Sequence, residues 1–151
     1  MPQRMHQLHG EAYLFDTIIQ NWDRRIANPN MLKKGDEFRL IDHEEAFVSA
    51  TGADEDRDVV RKPWEAFGID NFIAGDMQHP FWRRLKPSNH VDFGRAADAW
   101  KSLPDDTFSL YAAEASGDWG RATCDSIAAY LDDARRNIEA VVDAIQRARE
   151  Q

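Results

Sequence analysis

The sequence predicts a mainly α fold with one short β-hairpin near its N-terminus. Three observations predict it. Residues 122–149 place Ile127, Tyr130, Leu131, Ile138, Val141, Val142 and Ile145 at three- and four-residue spacings, the period of a helix with one apolar face. Between residues 31 and 42 the pattern changes to alternation, with Phe38, Leu40 and Asp42 following the turn-forming Lys34-Gly35-Asp36-Glu37. From residue 59 onward the pattern is helical again, punctuated by Pro63, Pro80, Pro87 and Pro104. At 151 residues the chain is expected to form a single domain, 1–151, with a real core.

Taken in order, residues 10–21 carry apolar side chains at 12–15, 18 and 19, which predicts a helix. The loop 22–30 follows, where Pro29 and its neighbouring asparagines break regular structure. The hairpin 31–42 is expected to pair residues 31–33 with 37–41. Residues 52–58 read as a polar, charged loop, and 77–85 as a bulky apolar cluster. The helical remainder, 59–149, holds a helix over 92–103 that begins near Asp92 or Ser88. A second helix opens at Pro104-Asp105-Asp106 and runs to about 116, where Gly117 is expected to end it. One long helix over 122–149 closes the chain.

Composition excludes several classes. One cysteine, Cys124, forms no internal disulfide and builds no zinc set, which fits a reducing compartment. No apolar run reaches the roughly 20 residues that span a bilayer. The first residues show no basic region followed by an apolar stretch, so a cytoplasmic protein is expected. The formal net charge of -8 argues against direct nucleic-acid binding, which needs a basic face.

Residues 15–47 carry the chemistry. Asp23-Arg24 is followed by Asn28, then by the hairpin, then by Asp42 within Ile41-Asp42-His43. Phosphoryl transfer needs such a set: one carboxylate to orient a hydroxyl and accept its proton, and an amide oxygen with a second carboxylate to hold Mg²⁺ against phosphates. Asp23 suits the base, and Asn28 and Asp42 suit the metal.

The segment resembles the catalytic segment of HipA-like serine/threonine kinases, in particular the shorter HipA-like kinase-domain proteins. The matching pieces are Phe15-Asp16, Asn21-Trp22-Asp23-Arg24, Asn28-Pro29-Asn30-Met31-Leu32 and Leu40-Ile41-Asp42-His43, in the family's order and spacing. Phosphatidylinositol kinases share a looser form of the pattern. The resemblance implies the C-terminal lobe of a HipA-like, protein-kinase-like fold, and an ATP- and Mg²⁺-dependent transfer to a protein hydroxyl. It places Asp23 as the catalytic aspartate and Asn28 and Asp42 as the metal and cofactor-binding residues. Asn21, Arg24 and Asn30 brace the loop, and His43 supports it. Two positions depart from the pattern: Arg25 stands where many relatives have His, and Glu44 where Gly is common.

Simpler readings compete. Asp23 alone would be a turn residue; in register with Asn28 and Asp42 it reads as a base. His43 reads as a hydrogen-bonding neighbour rather than a ligand, and Lys33-Lys34 as exposed hairpin charges. Asp92-Phe93-Gly94 imitates a kinase motif but lies 64 residues after Asn28, and Asp92 reads as a helix start. His79, His90 and Cys124 share no metal-ligand spacing, and Cys124 reads as buried. Trp64, Phe67, Phe72, Phe81, Trp82 and Trp100 read as core.

Kinases of this kind hold ATP between two lobes, the first supplying a lysine on a strand and a glycine-containing loop. Only 22 residues precede Asp23, with one glycine and no lysine. The nucleotide clamp is therefore expected from a missing N-terminal segment or an N-lobe partner protein. The competing class is a non-catalytic interaction module, such as a kinase regulator or a toxin–antitoxin partner. Lipid phosphorylation is the weaker third reading, since no basic amphipathic helix supports membrane binding.

Overall fold

The computed structural model describes residues 3–52 and 60–151. Among them are seven α-helices and one antiparallel hairpin: α1 Gln3–Ile18, β1 Met31–Lys34, β2 Glu37–Leu40, α2 Val48–Thr51, α3 Asp70–Ile73, α4 Phe93–Lys101, α5 Thr107–Trp119, α6 Arg121–Arg136 and α7 Ile138–Arg149. A single 3₁₀ turn spans Trp82–Arg84. The mainly helical architecture with a short N-terminal hairpin is as the sequence predicts. None of these helices is long and apolar enough to cross a membrane.

The first helix is displaced from the expected 10–21. It starts at Gln3 because Met5 and His9 are already buried, His9 stacking on Phe81 with ring centroids 4.3 Å apart. It ends at Ile18 because the next residues close a Schellman cap. Asn21 N–H donates to the Asp16 carbonyl at 3.0 Å and Gln20 N–H to the Thr17 carbonyl at 3.2 Å. Gln20 holds the left-handed position, φ 52, that glycine usually takes. Its side chain offsets that cost. The amide nitrogen donates to the Arg61 carbonyl at 3.0 Å, and the amide oxygen accepts from the Ser49 N–H and hydroxyl. Gly10 is needed for another reason: a Cβ there would overlap Val91 Cγ1, so only glycine lets the 91 segment lie against α1.

The hairpin pairs Met31 with Leu40 and Lys34 with Glu37, one residue longer in β1 and one shorter in β2 than expected. Gly35, at φ 60, takes the first loop position, which suits a two-residue turn whose twist matches the strands. Lys33 and Lys34 are exposed, as anticipated.

The helical pattern expected from residue 59 holds only from Phe93 onward. Residues 60–92 form turns around α3 and the 3₁₀ turn, because Pro63, Pro80 and Pro87 lack the N–H that a continuing helix requires. The charged stretch 52–58 lies outside the described residues beyond Gly52. In the 77–85 cluster, Phe81 and Leu85 are buried. Asp92 caps α4, its carboxylate accepting from Arg95 N–H at 2.9 Å. Gly117 does not end α5; that helix continues to Trp119 and stops at Gly120, φ 83. Nor is 122–149 one helix. Asn137, at φ -106 and ψ 12, divides it into α6 and α7, and its side-chain amide donates to the Asp133 carbonyl at 2.9 Å. The apolar period runs through the break because both helices turn their apolar residues inward.

One core cluster joins α1 to the C-terminal helices: Tyr13, Leu14 and Ile18 meet Phe72, Phe93, Tyr130, Ile138 and Ile145. Helix α5 packs on α6, α4 on α7, and α2 on α6. Cys124 is buried. Of the aromatics expected inside, Phe67 is 73% exposed. Its backbone is left-handed, φ 64, and turns the ring away from the core toward Arg61. Tyr130 makes the link that matters for the site. Its hydroxyl donates to the Ile18 carbonyl at 2.6 Å, satisfying an acceptor left open where α1 ends.

Candidate active site

The loop between α1 and β1 is built on a buried charge. Arg24 and Asp16 have no solvent exposure, and Arg24 Nε donates to Asp16 Oδ2 at 2.7 Å. The other guanidinium nitrogens serve the loop and the hairpin. Nη1 donates to the carbonyls of Pro29 (3.3 Å), Asn30 and Ile41 (3.2 Å), and Nη2 to His43 Nε2 at 3.0 Å. Arg24 thus grips the chain just before β1 and just after β2. Five donors in a planar fork are what such a junction demands; a lysine ammonium would not span it. Arg24 can only donate, so His43 Nε2 is the acceptor of that bond.

Asp16 Oδ2 also receives His79 Nε2 at 2.9 Å, and Oδ1 receives Asn21 Nδ2 at 3.4 Å. His79 Nδ1 in turn accepts from Phe81 N–H at 3.2 Å. A ring that accepts at one nitrogen and donates at the other is neutral. Burial pushes the His79 pKa below its ordinary value, against the opposing pull of Asp16. The buried cluster therefore holds one cation and one anion, so no net charge is left in the core.

Above this base the loop displays its polar side chains. Asp23 Oδ2 accepts from both Asn28 Nδ2 and Asn30 Nδ2, each at 2.7 Å. Backbone bonds between Arg25 and Asn28, at 3.0 and 3.1 Å, close the turn that brings these side chains together. Since both amide nitrogens face Asp23, the amide oxygens are the atoms of Asn28 and Asn30 left to bind something else. Asp23 Oδ1 lies 3.8 Å from Arg25 Nη2, and the Asp23 side chain is 26% exposed. It is open to a hydroxyl. Asp42 is exposed and left-handed, φ 59, between two residues that Arg24 holds, Ile41 and His43.

The structure therefore joins Asp23, Asn28 and Asn30 directly, and Arg24 with His43 directly. Asp42 is tied to them only through its neighbours. Asn21 turns away from Asp23 and braces Asp16 instead. Asp16 and His79 brace the loop from below, a role that the sequence did not assign to either. The signal for Asp16 was a charge inside the apolar run of residues 12–19, which a helix can bury only with a partner. For His79 no local signal existed, because its partner is 63 residues away in sequence.

Among the described residues no group of three or more His, Cys, Asp or Glu side chains converges as a metal cage. A magnesium ion bound with substrate phosphates needs only one or two carboxylates and otherwise phosphate and water oxygens. The amide oxygen of Asn28 and the carboxylate of Asp42 suit that demand by chemical type. Comparison with protein-family models, curated proteins and solved structures finds no match to this chain.

Proposed function

We propose that this chain is the catalytic lobe of a HipA-like phosphotransferase, acting with Mg²⁺ and ATP on a hydroxyl of a protein substrate. Asp23 is the base. Asn28 and Asp42 hold the ion that would neutralise phosphate charge. Asn30 orients Asp23, and Arg24, His43 and Asn21 keep the loop in register. The observation that carries this reading is the pairing of Asn28 and Asn30 with one oxygen of Asp23. It leaves the second oxygen, which faces Arg25 at 3.8 Å, to take a proton, and both amide oxygens to meet a hard cation. The lobe that clamps the nucleotide comes from outside these residues, as a preceding segment or a partner protein in the cytoplasm.

The test is phosphoryl transfer from radiolabelled ATP to protein substrates, with a candidate N-lobe supplied and with Asp23→Ala beside it. Mg²⁺-dependent transfer that disappears in the variant is expected. Equal signals from both proteins would overturn the assignment.

A non-catalytic interaction module is the second reading, and a specific feature favours it. Phe15, Ile26, Leu32 and Ile41, all within residues 15–47, are large apolar side chains 37–60% exposed. Leu32 lies in β1, Ile41 directly follows β2, and Phe15 packs edge-on against His43. Large apolar side chains left exposed are what a surface that receives another protein presents. Calorimetry separates the two readings: no Mg-ATP binding even with the partner present supports the interaction role.

A further inference from the structure

A second concave site lies beneath the inner face of the hairpin and is bordered by Pro29 of the Asp23 loop. Its cavity measures about 270 Å³ and opens between the start of α1, the hairpin and the 3₁₀ turn. Met5, His9, Met31, Phe38 and Phe81 supply its apolar wall. The rings form a cluster: His9 lies 4.3 Å from Phe81 and 5.8 Å from Phe38, nearly parallel to both, and Phe38 lies 5.1 Å from Phe81.

Lys33 and Arg84 also line the cavity, with Asp36 the single carboxylate. Among the described residues neither cation has a carboxylate within ion-pair distance, and Arg84 donates no side-chain hydrogen bond. Both act on His9, whose pKa is pushed down to about 4, first by burial and then by Arg84, His6 and Lys33. The His9 ring is thus neutral at pH 7 while being 4% exposed, and its Nδ1 is sealed without a partner. A buried lone pair costs less than a buried N–H, so the proton belongs on Nε2.

We propose that this cavity binds a small planar anion, an aromatic ring bearing a carboxylate or phosphate, with the ring among His9, Phe38 and Phe81 and the anion between Lys33 and Arg84. Size limits the ligand. At about 270 Å³ the space lies near the roughly 300 Å³ at the small end of small-molecule sites, which suits a ligand with a single ring. Charge sets the sign, with two cations lining the cavity against one carboxylate. The inference does not rest on the phosphotransfer reading: Pro29 of the same loop borders the cavity, but Asp23, Asn28 and Asp42 do not line it.

The experiment is methyl NMR on the full chain with labelled methionines, titrated with phenyl phosphate, benzoate, benzyl alcohol and benzylamine. Met5 and Met31 report the cavity, and Met77, which touches Arg25, reports the catalytic loop. Saturable shifts confined to Met5 and Met31 are expected with the two anions, at least tenfold weaker with the alcohol, and absent with the amine. Arg84→Gln and Lys33→Gln, both at exposed positions, should each weaken anion binding several-fold without lowering Tm. Absence of saturable shifts would overturn the proposal, as would equal binding of the neutral alcohol, which would make the cavity an apolar side-chain groove. Anion binding unchanged in both variants would place the ligand elsewhere and overturn it too.

Discussion

Asp16 and Arg24 form a fully buried ion pair at 2.7 Å, and the loop of residues 22–30 is assembled on it. Eight residues apart in sequence, they join the last turn of α1 to both ends of the hairpin. Removing one partner leaves the other charge buried and uncompensated, which costs about 3–5 kcal/mol. Asp16→Asn, which keeps shape and loses charge, should lower the free energy of unfolding by that amount in a urea titration. A loss under about 1 kcal/mol would mean the loop does not depend on the pair.

Asp23 should behave oppositely. Its hydrogen-bond partners, Asn28 and Asn30, are only partly buried and can turn to water. Asp23→Ala is therefore expected to change stability by no more than about 1 kcal/mol. Phosphoryl transfer, once the partner lobe is supplied, should nonetheless vanish. Asn28→Ala should raise the Mg²⁺ concentration needed for half-maximal transfer, whereas Asn30→Ala should lower kcat with that concentration unchanged. Loss of folding in Asp23→Ala, read by circular dichroism, would make this residue structural.

Acidification should destabilise the protein between pH 7 and 5. His79 and His9 are both depressed below 6.5 in the folded state, His9 to about 4. Below pH 6.5 the unfolded chain takes up protons that the folded chain refuses, so stability falls as pH falls. Above pH 7 both rings are neutral in either state and contribute no slope. For His9 the loss continues until the folded ring itself protonates near pH 4. Tm measured at pH 7.5, 6 and 5 should fall progressively, and less steeply in His9→Phe, which keeps the stacking and removes the titration. An unchanged slope in that variant would exclude His9 as a source.

The Tyr130 hydroxyl fixes the end of α1 from the other side of the core. Tyr130→Phe strands the Ile18 carbonyl in a dry environment, at a cost of about 1–3 kcal/mol. Amide exchange should quicken at residues 18–22 more than at α7. Uniform quickening would show that Tyr130 supports the whole fold and has no particular tie to α1.

How much of this was legible beforehand depends on the range of each interaction. The hairpin was read to within a residue because its turn is local, and Gly35 announces it. The Asp92 cap was legible for the same reason. The pairing of Asp23 with Asn28 was legible from spacing within one loop, whereas Asn30 came only from the resemblance, and its bond to Asp23 is seen in the structure. The division of 122–149 at Asn137 was hidden, because both helices keep the same inward apolar period across the break. The true end of α1 was hidden as well, since a glutamine holds the left-handed position and is paid for by contacts with Ser49 and Arg61.

The sequence by itself determined the helical class, the hairpin and which polar residues share the loop, all set by periods and turn chemistry within a dozen residues. Only the tertiary structure decided what supports that loop. His79 reaches Asp16 across 63 positions and Tyr130 reaches Ile18 across 112. Such pairs form because a buried charge or carbonyl must be satisfied by whatever the folded chain brings near it, and no local pattern records that choice.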